Sequence, residues 1–496
     1  MSKISIRTTR TSSKAVAVQV IRYENRRRII IKHIGSSHNE DELKKLKAVA
    51  IEYIDKLTKQ PSLFPKEKQS NIFHIKDIQY LGFRYGLLYE TLYGLLKKFN
   101  FHRHRDQLML DLVIARIVQP GSKLQAIEFL KEFLGIEHRR EYFYRNLPKM
   151  ITLKEEIAQK ILSIAEKEFN FNFSFIFYDV TTLYFESDKA DEFRRPGFSK
   201  DNKFTKPQIV LGLIVTTEGF PLWYQIFEGN KFEGHTLIPI IKEFQKNHKI
   251  DSVTVVADAA MISSENIKLL SRASLNYIVG ARLANLSLSL IKTVSTKLNR
   301  SEGMTVRIKT GLGDLICEYS EKRYRKDKHE MDNYIKKAEN LLKHPGRIKR
   351  AKYIKFENQS YQINQLLIQK HELLLGLKGY YTNLKQSEVE DQTIIKHYHN
   401  LWQIEHAFRI TKSDLQTRPI YHRNKEIIKV HILLCFIALA ICKYMELKTE
   451  KSTKAILKQL KSVTDAKIRN KLTGEEIMLR SEIHSDVEAI LRKLHI

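Results

Sequence analysis

Apolar and polar positions follow one rhythm up to about residue 170 and another from residue 173. Residues 15–34, AVAVQVIRYENRRRIIIKHI, are two β-rich runs flanking Glu24-Asn25, which predicts a hairpin. After them apolar residues recur every three to four positions. This predicts helices over 41–57, 81–98, 105–117, 122–134 and 152–168, the third ending where Pro120 and Gly121 break it. From 173 the period shortens. FSFIFYDVTTLYF is a long β-rich run, and 207–227 predicts two strands about Glu218-Gly219. A helix over 236–247, a strand over 252–258, a helix from Ser264 and a strand over 276–282 follow. The order β-β-β-α-β-α-β predicts a mixed sheet with helices packed on it, an α/β domain.

Beyond 283 the pattern is mixed. Two strands are expected in 303–320, then a charged stretch, 321–352, with 12 Lys or Arg against five acidic residues. More sheet is expected around 353–363 and 373–384. Two helices follow, one through 397–415 and a strongly apolar one over 425–446, and then a weaker tail. The expected organisation is a basic strand unit with a mainly helical region (1–170), the first part of an α/β domain (171–282) and a β-rich insertion (283–385). Helices completing the α/β domain (386–450) and a C-terminal tail (451–496) close the chain.

The helix in HYHNLWQIEHAFRITKSDL carries an awkward residue. Tyr398, Leu401, Glu405, Phe408 and Lys412 recur at spacings of three and four and share a mostly apolar face. A carboxylate on a buried face needs a cation or a shifted pKa.

Composition narrows the chemistry. The chain has 496 residues, room for two to four domains. Lys and Arg total 85 against 56 Asp and Glu, a net charge of +29, which points to a polyanion partner such as nucleic acid. Residues 1–34 alone hold nine Lys or Arg and one acidic residue. The three cysteines, Cys317, Cys435 and Cys442, contain no CxxC pair, which argues against a thiolate zinc site and a disulfide scaffold. The first residues, MSKISIRTTR, lack an apolar signal core. ILLCFIALAIC at 432–442 is 11 residues, too short to span a bilayer. A cytoplasmic protein without a membrane partner is expected.

Three carboxylates stand out. Asp179 and Asp258 lie at the ends of predicted strands, and Glu405 lies on a helix suited to cover that rim. Together they suit two Mg²⁺ ions held through hard oxygen ligands, the arrangement of phosphodiester chemistry. Each has an ordinary reading too. Asp258 suits a turn or a helix cap, Asp179 a local turn, and Glu405 a pair with His406, Arg409 or Lys412. His235 and His406 read as non-ligands.

The order of several segments resembles the DDE transposases of bacterial insertion sequences, in the group with a β-rich insertion and a Tyr-Arg-Glu-Lys signature. The matching pieces are FYDVTTLYFE (177–186), GFSKDNKFTKPQIVLGLIVTTEGFPLWYQIFEGN (197–230), VVADAAMISSENI (255–267), YIVGAR (277–282), GYYTNLKQ (379–386), YHNLWQIEHAFRITKSDLQTRPIYH (398–422) and HILLCFIAL (431–439). RIVQPGSK (116–123) is a looser match. The resemblance implies a ribonuclease-H-like catalytic fold with Asp179, Asp258 and Glu405 as catalytic metal ligands. It implies two divalent ions, Mg²⁺ with Mn²⁺ as a substitute. The implied partners are double-stranded DNA with terminal inverted repeats and target DNA, bound by a homodimer. Tyr398 and Lys412 fall on the signature tyrosine and lysine. Lys412, Tyr398, Trp402 and Lys200 are the expected DNA contacts, through phosphate or base stacking. The signature arginine position holds Leu401, which donates no hydrogen bond to a phosphate. The expected activity is strand cleavage and strand transfer. The rivals are a catalytically inactive or regulatory DNA-binding protein derived from such an element, and a structure-specific nuclease.

Overall fold

The computed structural model describes residues 4–496 apart from 25–26, 59–74, 105–106, 172, 188, 249–252, 260–263, 345–350, 358 and 472–473. Asn25 of the expected hairpin turn, Ser252 of an expected strand and the end of the charged stretch therefore lie outside the described residues. Strands in chain order are β1 (Ile4–Arg10), β2 (Val16–Glu24), β3 (Arg27–Ser37), β4 (Ile78–Arg84), β5 (Phe175–Tyr184), β6 (Gln208–Val215), β7 (Pro221–Glu228) and β8 (Thr254–Ala257). They continue as β9 (Asn276–Ala281), β10 (Thr305–Thr310), β11 (Gly313–Tyr319), β12 (Ile354–Glu357), β13 (Ser360–Ile363), β14 (Leu377–Thr382), β15 (Asp465–Asn470) and β16 (Glu476–Arg480).

The chain forms two units. The first comprises Met1–Leu92, Glu128–Glu137 and Ala455–Ile496. Here β1, β2 and β3 form an antiparallel meander, with Glu24 opposite Arg27 at the expected hairpin. Val18, Val20 and Ile34 on one face pack with Leu46 and Ala50 of the helix Glu40–Thr58. A second sheet has the order β16-β15-β4, all antiparallel. Residues 81–84, expected to open a helix, belong to β4 instead. Their partner β15 comes from the tail, so a long-range ladder overrides a local helical pattern. The helix begins at Gly86, where an added Cβ would sit 1.8 Å from Asp465 Oδ2. Arg480 bridges the Asp465 and Glu90 carboxylates at 2.8 and 2.7 Å.

The second unit comprises Tyr93–Ile127 and His138–Lys454. Its eight-stranded mixed sheet has the order β10-β11-β14-β9-β8-β5-β6-β7. β5, β6 and β7 are antiparallel neighbours, while β8 and β9 continue parallel to β5. This is the ribonuclease-H-like arrangement within an α/β fold. β6 is buried at every position, which its unbroken apolar run, QIVLGLIV, requires. Gly219 makes the β6–β7 turn at φ +82°, a conformation that favours glycine.

The region 283–385 adds β10, β11 and β14 to this sheet, and β12 and β13 form a separate two-stranded hairpin. The charged stretch holds a helix, Glu321–Leu342. Its charges are spaced four apart, and Arg323–Asp327 (3.3 Å), Arg325–Glu321 (3.3 Å) and Lys328–Asp332 (3.3 Å) lie along it. The helix Lys425–Thr449 runs well past the 11-residue apolar stretch and is long and apolar enough to cross a membrane. Yet 89% of its most apolar window is buried inside the protein, beside the helix Gln107–Val118 and β7. All three cysteines are free and buried.

Candidate active site

The parallel register of β5 and β8 pairs Tyr178 with Ala257. Asp258 comes one residue later, just past the end of β8, and Asp179 one residue later in the middle of β5 rather than at its expected end. Neighbouring strands lie about 5 Å apart, so the two carboxylates stand side by side at the same level. Each Oδ1 accepts a backbone N–H from the next residue, Val180 at 2.7 Å and Ala259 at 2.6 Å. Asp179 is largely buried and Asp258 is exposed.

Burial pushes the Asp179 carboxyl up to about 6. Lys200 opposes that shift, and Glu233 adds to it. Lys200 Nζ lies 3.4 Å from Asp179 Oδ1 and 3.4 Å from Glu233 Oε1, and donates to Val180 O at 2.7 Å. Burial would lower the Lys200 ammonium, but the two carboxylates outweigh it and hold its pKa above the ordinary lysine value. Lys200 therefore sits within the carboxylate cluster. Sequence reasoning placed it only as a DNA contact in a polar loop and did not single out Glu233, because these groups meet only when the loops after β5 and β7 converge.

Tyr398 donates its hydroxyl to Asp258 Oδ1 at 3.1 Å. Its ring is buried at 8% exposure, packs beside Tyr380 at 4.8 Å and lies over Gly280. A Cβ at Gly280 would stand 2.2 Å from the tyrosine oxygen, so a glycine is needed there. Burial, and then the Asp258 charge, raise the Tyr398 pKa, keeping the hydroxyl a donor.

The expected single helix through 397–415 is broken. Asp391–His399 and Trp402–Arg409 are separate α-helical segments, and Ile410–Asp414 is a π-helical turn. Leu401 and Phe408 are buried, but Glu405 is exposed, contrary to the buried position its spacing implied. An exposed carboxylate carries no burial penalty, so its opening oddity disappears. The segment Trp402–Arg409 packs on β5 and β6, and the Glu405 charge is felt by Tyr398. Trp402 is 53% exposed. Lys412 is half-buried 3.4 Å from Asp201 Oδ2, which Arg418 Nε also approaches, at 3.1 Å. Leu401 puts no donor where the signature arginine would stand.

The donor set fits a hard divalent cation in part. The raised pKa of Asp179 reflects burial that Lys200 only partly offsets, and Asp258 is its immediate neighbour. Among the described residues, however, no group of three carboxylate, histidine or cysteine side chains converges on one point.

Comparison with known proteins gives an independent reading. No curated protein matches the chain. Among solved structures, the chain is similar to the cryo-EM structure of the piggyBac transposase synaptic complex with hairpin DNA. Identity is 10%, the TM-score is 0.36, and the match covers 76% of this chain and 69% of that one. The family of the transposase DDE domain matches residues 171–441, a span that runs from just before β5 into the buried helix Lys425–Thr449 and takes in Asp179, Glu233, Asp258 and Glu405. The chain belongs to the transposase DDE domain family.

Proposed function

We propose that this protein is a transposase that binds the terminal inverted repeats of its own element, cleaves DNA there and joins the freed end to target DNA. The observation that carries this reading is the side-by-side placement of Asp179 and Asp258 at two adjacent parallel strands, with Tyr398 bracing Asp258. In the first step water attacks the scissile phosphorus, the bond to the 3′ oxygen breaks, and a 3′-hydroxyl and a 5′-phosphate result. In the second step that hydroxyl attacks a target phosphodiester. One phosphorus–oxygen bond forms and one breaks, so no external energy is required.

Asp179, Asp258 and Glu405 would hold two divalent ions, Mg²⁺ or Mn²⁺, through carboxylate oxygens. When bound, such ions activate the attacking oxygen and stabilise the leaving one. Tyr398 fixes the rotamer of Asp258. Lys200 balances the charge of Asp179 and Glu233, and with divalent ions held by the carboxylates its ammonium would be free to meet a DNA phosphate. Lys412 and the exposed Trp402 are the remaining DNA contacts, and the protein acts on paired ends as a homodimer.

A second reading is favoured by Leu401: a DNA-binding protein of the same descent that does not cut. The two separate on a denaturing gel. Labelled DNA carrying the ends that flank the gene is incubated with Mg²⁺ or chelator, beside Asp258→Asn. A Mg²⁺-dependent nick lost in the variant supports the transposase. Binding without a nick supports the second reading.

A further inference from the structure

A cavity of about 350 Å³ lies within the second unit, between the turn at Gly121 and the segment that follows Leu415. Its floor is Arg116, Lys123 and His431, buried at 6%, 5% and 4% exposure. Among the described residues, no carboxylate lines it. Arg116 donates to the carbonyls of Gly121 at 2.9 Å and Leu415 at 3.4 Å, which orient the guanidinium without neutralising it. His431 Nε2 lies 3.0 Å from Thr417 O, which can only accept. That bond places the ring proton on Nε2 and leaves Nδ1 to accept from Lys123 Nζ at 3.4 Å. The Lys123 ammonium thus has one neutral partner and two further N–H donors. Burial, and then the neighbouring Arg116, pull Lys123 down to about 7. His422 at the side is pulled down to about 4 by burial, Lys123 and Arg116.

Two buried cations without an acid between them are costly to fold. A cavity that gathers them and opens beside an exposed aromatic, Tyr421 at 67%, has the character of an anion site. We infer that this cavity binds a phosphate group, and that in the working complex the phosphate belongs to a DNA strand. The assignment to DNA rests on the proposed function, whereas the anion site itself does not. Arg418 ties the two places together. It lines the cavity and pairs with Asp201, whose neighbour Lys200 lies against Asp179. A strand whose phosphate sits on Lys123 and Arg116 would run past Arg418 toward the carboxylates, with Tyr421 free to stack on a base.

The test uses the full-length protein and Lys123→Met, which keeps the stem and removes the charge. Thermal unfolding is measured with inorganic phosphate against chloride at equal ionic strength, without DNA. Phosphate is expected to raise the unfolding temperature of the wild type and not of the variant. Binding of a labelled duplex end is then measured across a salt series. The variant is expected to bind about tenfold more weakly, with a salt slope smaller by about one. If phosphate protects both proteins equally or neither, the anion site is wrong. If protection is lost in the variant but duplex affinity and slope stay unchanged, the site takes free phosphate and its assignment to DNA is overturned. Should Lys123→Met fail to fold, acetylation of Lys123 in the wild type, read by mass spectrometry, replaces it. Slower modification in phosphate and with duplex supports the site, and an unchanged rate in both refutes it.

Discussion

Tyr398 donates its hydroxyl to Asp258 Oδ1 at 3.1 Å, joining residues 140 positions apart in the chain. Asp258 sits exposed at the end of a short strand, and this bond comes from a buried ring that cannot swing away. Loss of a group that orients a metal ligand typically costs 10- to 100-fold. Tyr398→Phe is therefore expected to lower cleavage by roughly that factor, and to raise the Mg²⁺ concentration needed for half-maximal cleavage. A titration of Mg²⁺ against nicking rate checks both. An unchanged half-maximal concentration would remove Tyr398 from this role.

Gly280 controls the same contact from below. Gly280→Ala forces the tyrosine ring out of place, because the added carbon would meet Tyr398 Oη at 2.2 Å and Cζ at 2.8 Å. Overpacking of this kind costs about 1–3 kcal/mol. Removing the hydroxyl relieves only the first clash. Chemical denaturation of Gly280→Ala, Tyr398→Phe and the double variant is expected to show the double variant more stable than the sum of the two changes implies.

His248 gives the stability a pH dependence. It packs edge-on to Trp223 at 5.3 Å and against Phe244 at 4.9 Å, and burial holds its pKa down at about 4, against 6.5 ordinarily. The folded protein binds this proton less readily than the unfolded chain. Its contribution is thus fully present above pH 6.5 and is lost as the pH falls toward 4, by about 1–2 kcal/mol once water's screening of this partly exposed ring is allowed for. His248→Gln is expected to flatten the stability curve between those limits, as measured by urea unfolding across pH. A curve of unchanged slope would contradict the assignment.

Arg480 pins the tail. It answers the buried Asp465 as well as the more exposed Glu90. Arg480 is itself about a third exposed, so water screens part of the pair. Arg480→Ala is expected to destabilise the first unit by about 1–2 kcal/mol, mainly because Asp465 is left without its cation. Faster amide exchange in β4, β15 and β16, with β5 and β6 unchanged, is the expected signature.

The sequence by itself determined the elements of the eight-stranded sheet. The β-rich run at 175–184, the apolar run at 208–215 and a glycine at the turn after the second can hardly be anything but buried strands. Asp258 was legible as a carboxylate ending an apolar run, whereas Asp179, expected at a strand end, stands in the middle of β5 and meets Asp258 only through the pairing of β5 with β8. What only the tertiary structure decided were relations between distant parts. Residues 81–84 looked helical because their local period is helical, yet they are a strand because β15 hydrogen-bonds to them. Glu405 seemed buried because it shares a helical face with Leu401 and Phe408; in the structure those two are buried and Glu405 is exposed, which depends on what packs over each position and not on the helical spacing. Lys200, Glu233, Arg418 and Lys123 carry no local pattern. Their positions follow from charge meeting charge, or failing to, across strands and loops far apart in the chain.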